Sequence, residues 1–307
     1  MFPFLKLIRF QNLLILALMQ LLFRYVFFKL QNIPSALADW QYSLLVLSTI
    51  LIAAGGYVIN NVFDQNTDLI NKPNHVIVGK TISETNAYNL YLALTASGVA
   101  IGFYLSNVVE KPGFASIFIL VAATLYLYAT SLKQMLVIGN IIVALLLSFS
   151  VVIIGIFDLF PTIHEGNQQQ MGVVFSILLD YALFTFFLNF MREIVKDLED
   201  VDGDYNEGMN TLPIVIGKSR TAKIVFAISF IPIFFMLYYI NKYLLELVFT
   251  TVYLLLFVVG PLLYFAVKIW TAKSKKEFHM LSLLLKCILL FGVLSIVVIT
   301  LNIKYNA

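Results

Sequence analysis

Apolar residues in this chain come in long uninterrupted runs, not in the alternation of a half-buried strand or the one-sided stripe of a surface helix. Runs of about twenty, the length that carries a helix across a roughly 30 Å hydrocarbon core, recur about nine times. They cover residues 8–28, 42–61, 86–106, 114–131, 136–157, 171–192, 222–240, 246–268 and 279–301. Each predicts a membrane-spanning helix, and together they predict an all-α, polytopic bundle forming a single membrane-embedded domain over residues 1–307. The first run carries Gln11, Asn12, Gln20 and Arg24 and is followed by no small-residue cleavage site, so it is expected to stay as a helix.

Polar residues gather in the connections. Two of these, 62–85 and 193–221, are long and acidic, while "DLFPTIHEGNQQQ" at 158–170 lacks Lys and Arg and reads as an exposed connector. Composition excludes a soluble globule: 61% of the 307 residues are hydrophobic and only 12% charged, with a mean hydropathy of +0.91. The lone Cys287 lies inside the last apolar run, which rules out a disulfide framework and a cysteine-based metal site. Of the 20 lysines and arginines, all but Arg24, Lys29, Lys111, Lys242 and Lys304 fall on one side of the bilayer when the N-terminus is inside. The positive-inside rule therefore predicts a multi-pass protein of the cell membrane with a cytoplasmic N-terminus, and both acidic connections on that same side. The net charge of +3 follows from this topology and shows no compact basic face for nucleic acid. No protein partner is inferable.

The first acidic stretch, "NNVFDQNTDLINKP", places Asn60, Asp64 and Asp68 four residues apart. On a helix, positions i, i+4 and i+8 drift by only about 40° per step, so the three share a stripe. Like charges so placed repel unless a cation or protons offset them. The second stretch, "REIVKDLEDVDGDYNEGMNTLP", repeats the arrangement. If the sixth helix continues through it, Glu193, Asp197, Asp200 and Asp204 fall within about 60° of one another and Asp202 points away. Carboxylate and amide oxygens are hard ligands, and magnesium takes one or two carboxylates with water and substrate phosphate in its remaining positions. Two facing stripes would hold a magnesium-bound diphosphate. Lys72, Lys133, Arg192 and Lys196 stand at cytoplasmic helix ends, where they would neutralise phosphate oxygens or serve only as topological anchors. A calcium-loop reading of "DVDGD" fails, because its sixth position is Tyr205 and its twelfth Thr211.

These motifs resemble those of the UbiA-type intramembrane prenyltransferases. Asn60, Asp64 and Asp68 match the family's NxxxDxxxD, and Asp200 and Asp204 match its DxxxD. "RFQN" at 9–12, "YATSLK" at 128–133 followed by Gly139 and Asn140, and "NTLP" at 210–213 are further echoes. Within the family the second motif looks most like the digeranylgeranylglyceryl phosphate synthase branch. The departures are Phe10 for the opening proline, Asn61 for an Asp, and His75 and Val76 where many members show Arg-Pro.

The resemblance implies a magnesium-dependent prenyltransferase of isoprenoid lipid biosynthesis, moving a geranylgeranyl group from its diphosphate to geranylgeranylglyceryl phosphate. The alternative acceptors are aromatic: homogentisate, 4-hydroxybenzoate or dihydroxynaphthoate. Metal binding is expected at Asn60, Asp64, Asp68, Asp200 and Asp204, and substrate binding at Asn60, Lys72, Tyr128, Lys133, Arg192 and Lys196. Asp64, Asp68, Glu193, Asp197, Asp200 and Asp204 are the expected catalytic carboxylates, with Glu193 or Asp197 taking the acceptor's proton. Ala53, Ala54, Gly55 and Gly56 would make room for a prenyl tail or let helices pack closely. A secondary transporter is the rival class, but its polar groups lie near the bilayer midplane, whereas these carboxylates cluster at helix ends on one side.

Overall fold

The computed structural model describes residues 3–73 and 76–306, and the departure at His75 lies outside the described residues. Among the described residues nine helices are long and apolar enough to cross a membrane: α1 (Phe10–Phe28), α2 (Asp39–Phe63), α3 (Glu84–Val108), α4 (Pro112–Thr130), α5 (Ile138–Thr162), α6 (Gln168–Asn206), α7 (Lys218–Leu244), α8 (Val248–Thr271) and α9 (Lys275–Tyr305). Every apolar run of the sequence is one of them. Contacts divide the chain into two compact units, residues 1–20, 34–135 and 150–179 forming the first and residues 21–33, 136–149 and 180–307 the second.

In the first unit α2 packs against α3 and α4 through small residues. Ser48 donates to the carbonyl of Gly98 at 2.7 Å, and a Cβ on Gly98 would lie 2.7 Å from Ile52 Cγ1. A Cβ on Gly102 would reach 2.3 Å from the Phe118 ring of α4. Gly55 and Gly56 work the same way, Gly55 facing Thr95 of α3 and Gly56 facing Leu125 of α4. Of the two roles expected for them, close helix approach is the one observed. Leu7, Ile8, Leu13, Val58, Ile59, Val62 and Ala129 belong to a buried cluster of the same unit.

The second unit is built on the C-terminal part of α6. Leu188, Met191, Val195 and Leu198 of that helix are buried with Val258, Leu262, Phe265 and Ile269 of α8 and Leu285 and Ile288 of α9. The spacing of three and four along each helix puts these residues on one stripe and leaves the rest for lipid.

One connection takes the helical form on which its acidic stripe depended, and one differs from its sequence reading. The stretch 193–206 is helix, because α6 runs unbroken from Gln168 to Asn206. The helix persists through weak helix formers, four Asp and the internal Gly203 among them, because Ile194, Val195 and Leu198 are buried along it, and it ends at Gly208, φ +68°. There Gly208 N–H bonds Tyr205 O at 3.1 Å and Met209 N–H bonds Asp204 O at 3.0 Å, a Schellman end. The stretch 158–170 is not a plain exposed connector. Asp158 is fully buried, and its carboxylate accepts from Leu37 N–H at 3.0 Å while its carbonyl accepts from Ala36 N–H. It thereby satisfies two backbone donors of the loop before α2, which burial would otherwise leave unpaired.

Candidate active site

The first stripe sits where α2 ends. Asp64 leaves helical geometry at φ −94°, ψ 4°, and a short helix resumes over Gln65–Asn71. The hydrogen-bond ladder nevertheless runs straight through: Asp64 N–H bonds Asn60 O at 2.9 Å, Asp68 N–H bonds Asp64 O at 2.8 Å, and Lys72 N–H bonds Asp68 O at 2.8 Å. Four-residue spacing therefore survives the break, and Asn60, Asp64, Asp68 and Lys72 follow one another along a single ladder.

Side chains tie this stripe together. Asn60 Nδ2 donates to one carboxylate oxygen of Asp64, and Lys133 Nζ donates to the other. Lys133 comes from the short turn Leu132–Gln134 that follows α4, and its side chain is 8% exposed against 19% for Asp64. Asn60 Oδ1 is buried and has no hydrogen-bond partner. Tyr128, five residues before Lys133, is half-buried. The "RFQN" echo is anchored just above: Arg9 lies 5.1 Å from the Tyr57 ring centroid, Asn12 Nδ2 donates to the Tyr57 hydroxyl at 3.3 Å, and Asn61 donates to the Tyr57 carbonyl at 2.8 Å.

The second stripe occupies the last turns of α6, in the second unit. Glu193 and Asp204 are buried, Asp197 and Asp200 half-buried, and Asp202 is exposed, as the helical register requires. Lys196 Nζ donates to Glu193 Oε1 at 2.6 Å, and Arg192 NH1 lies 3.6 Å from that same oxygen. Asp197 Oδ2 accepts from Asn140 Nδ2 of α5 at 2.8 Å. Arg192 Nε is buried with no hydrogen-bond partner.

Sequence reasoning noticed Asn140 only as part of an echo and gave it no role, because its partner is 57 positions away and no spacing rule joins the two. It also missed the buried Glu199, which pairs with His279 Nδ1 of α9 at 3.2 Å. Among the described residues no three His, Cys, Asp or Glu side chains converge into a ready-made metal cage.

The chain matches the UbiA prenyltransferase family over residues 14–298. It is 35% identical over 223 residues to the digeranylgeranylglyceryl phosphate synthase of Sulfurisphaera tokodaii, covering 69% of this chain and 74% of that protein. A solved structure described as digeranylgeranylglyceryl phosphate synthase in membranes superposes with a TM-score of 0.64 at 21% identity, covering 96% of this chain and 98% of the other. A UbiA homologue from Archaeoglobus fulgidus bound to DMAPP and Mg2+ superposes with a TM-score of 0.61 at 17% identity, covering 96% and 99%.

Proposed function

The chain belongs to the UbiA prenyltransferase family, and on that premise we propose that it transfers a geranylgeranyl group from its diphosphate to geranylgeranylglyceryl phosphate, with magnesium as the metal. The acceptor reading is supported by the relative from Sulfurisphaera tokodaii. The observation that carries the metal is the Asn60–Asp64–Asp68 ladder, in which the buried Asn60 Oδ1 has no hydrogen-bond partner. An all-oxygen donor set with a buried amide oxygen to spare fits a hard cation such as magnesium. Both acidic stripes serve the same reaction in this reading, and the two units act as one catalytic domain over residues 1–307, a view supported by a family match that takes in residues of both. The N-terminus and the active site lie on the cytoplasmic side, which the distribution of Lys and Arg supports.

Magnesium, held by Asn60, Asp64 and Asp68 and by Asp200 and Asp204, would offset the charge that builds on diphosphate as it leaves. The chain's own residues do the rest. Lys133 and Lys72 supply further positive charge to phosphate oxygens, and Tyr128 binds the same substrate from the last turn of α4. The bond from the allylic carbon to the diphosphate oxygen breaks, its electron pair departing with diphosphate. The acceptor's hydroxyl oxygen then bonds to that carbon, giving an ether, and its proton passes to a carboxylate. Asp197 suits that last role better than Glu193. Asn140 orients it through one oxygen and leaves the other for the proton, whereas Glu193 is engaged by two cations.

An acceptor competition tests this reading. Purified full-length protein receives radiolabelled geranylgeranyl diphosphate, magnesium, and equimolar geranylgeranylglyceryl phosphate, homogentisate, 4-hydroxybenzoate and dihydroxynaphthoate. Label is expected in the diether phosphate. Label in an aromatic product would replace the proposed acceptor, and unchanged diphosphate in every arm would overturn the activity.

A further inference from the structure

Resting on the acceptor reading above, we propose that Arg192 and Lys196 form the clamp for the acceptor's phosphate, separate from the groups that meet the donor diphosphate, and that this clamp selects a phosphorylated acceptor. The geometry of α6 carries the argument. At about 100° per residue, taking Arg192 as 0°, Lys196 stands near 40°, Asp200 near 80°, Glu193 near 100°, Asp204 near 120° and Asp197 near 140°. The two cations thus occupy one edge of the acidic stripe, and Asp197 the opposite edge, where Asn140 of α5 hydrogen-bonds it.

The cationic edge is built around one carboxylate oxygen. Lys196 Nζ approaches Glu193 Oε1 to 2.6 Å, which is a full hydrogen bond. Arg192 NH1 is 3.6 Å from that oxygen, inside ion-pair range but outside hydrogen-bond range. Arg192 is only 15% exposed, and its Nε has no hydrogen-bond partner. A buried guanidinium with an unused donor is costly to keep unless an anion completes it, and its planar fork matches a phosphate better than a single oxygen can.

Substrate chemistry supplies the match. In a glycerol phosphate the hydroxyl that reacts is on the carbon next to the one bearing the phosphate. The phosphate anchor and the proton acceptor must then be close neighbours, and Arg192 and Lys196 alternate with Glu193 and Asp197 within about one turn and a half of a single helix. The donor diphosphate leaves without ever being tied to that hydroxyl, so no such constraint links it to Asp197. A site that hydrogen-bonds a substrate's anionic group rejects an analogue lacking it, because the buried donor is left unpaired.

The test measures binding and turnover with the full-length protein in detergent, using Arg192→Gln, Lys196→Gln and Arg192→Lys. Binding is read without magnesium for geranylgeranylglyceryl phosphate and for geranylgeranylglycerol, which lacks only the phosphate. Wild type is expected to prefer the phosphorylated lipid by tenfold or more, and Arg192→Gln to bring that ratio close to one, with Arg192→Lys in between. In turnover the acceptor KM rises by tenfold or more in Arg192→Gln while the geranylgeranyl diphosphate KM stays within about twofold. A wild-type ratio near one, an unchanged ratio in both Gln variants, or an equal rise in the donor KM would overturn the clamp. The binding ratio needs no catalysis, so it still decides the clamp if the transfer reading itself fails.

Discussion

Replacing Lys133 by Met isolates the electrostatics of the first stripe. The change removes the ammonium that meets Asp64 and keeps a stem of similar length. Both side chains are largely buried, 8% exposed for Lys133 and 19% for Asp64. Removing one partner of a fully buried pair costs about 3–5 kcal/mol, because the other charge stays behind uncompensated. Water reaches part of Asp64, which lowers the expectation to about 2–3 kcal/mol. At about 2 °C per kcal/mol, the lower end for large domains, the thermal midpoint of Lys133→Met in metal-free detergent falls by about 4–6 °C.

Magnesium reverses the order of effects. The divalent ion supplies at Asp64 the positive charge that the lysine supplied, and in the variant it no longer competes with an ion pair. Its stabilisation therefore grows more steeply with concentration in Lys133→Met than in wild type, following the linkage of ligand binding to folding. The assay is thermal denaturation of both proteins across a magnesium series, with sodium chloride of matched ionic strength as the control. A variant whose midpoint in metal-free buffer matches wild type would refute the buried-pair argument. A gap that stays constant across the series would refute the claim that lysine and metal share Asp64.

The remaining predictions are quick to check. Asn140→Ala removes the donor that orients Asp197, so kcat falls by tenfold or more, and the carboxylate left unsatisfied costs about 1–3 kcal/mol, read as a thermal midpoint lowered by a few degrees. Gly102→Val puts a side chain where even a Cβ would lie 2.3 Å from the Phe118 ring. Overpacking of this kind costs about 1–3 kcal/mol, read as a lowered thermal midpoint, and an unchanged midpoint would show that α3 and α4 are not held as closely as described.

Much of this architecture was legible because the bilayer simplifies the code. A helix that crosses hydrocarbon needs about twenty apolar residues, and that length is visible without knowing what packs on what. The acidic stripes were legible for a related reason, since four-residue spacing is local. What escaped was of two kinds. Whether the sixth helix continued past Arg192 could only be posed as a condition, because Gly203 and four Asp argue against helix locally while the tertiary burial of Ile194, Val195 and Leu198 holds it to Asn206. Two pairings of the carboxylates escaped: Lys133 is 69 positions from Asp64 and Asn140 is 57 from Asp197. Only tertiary packing joins such pairs, and neither periodicity nor composition carries it. The buried Asp158 misled for the same reason, since its task is to receive two loop N–H groups more than a hundred positions earlier.

One magnesium-dependent prenyl transfer is proposed to use both acidic stripes. Its most direct test is initial-rate transfer from geranylgeranyl diphosphate to geranylgeranylglyceryl phosphate by wild type, Asp64→Asn and Asp204→Asn, each with magnesium and with excess chelator. Turnover is expected in wild type only when magnesium is present, with a loss of about a hundredfold or more in each variant, since each substitution removes charge stabilisation worth several kcal/mol. Turnover that survives chelation, or wild-type rates in either variant, would contradict it.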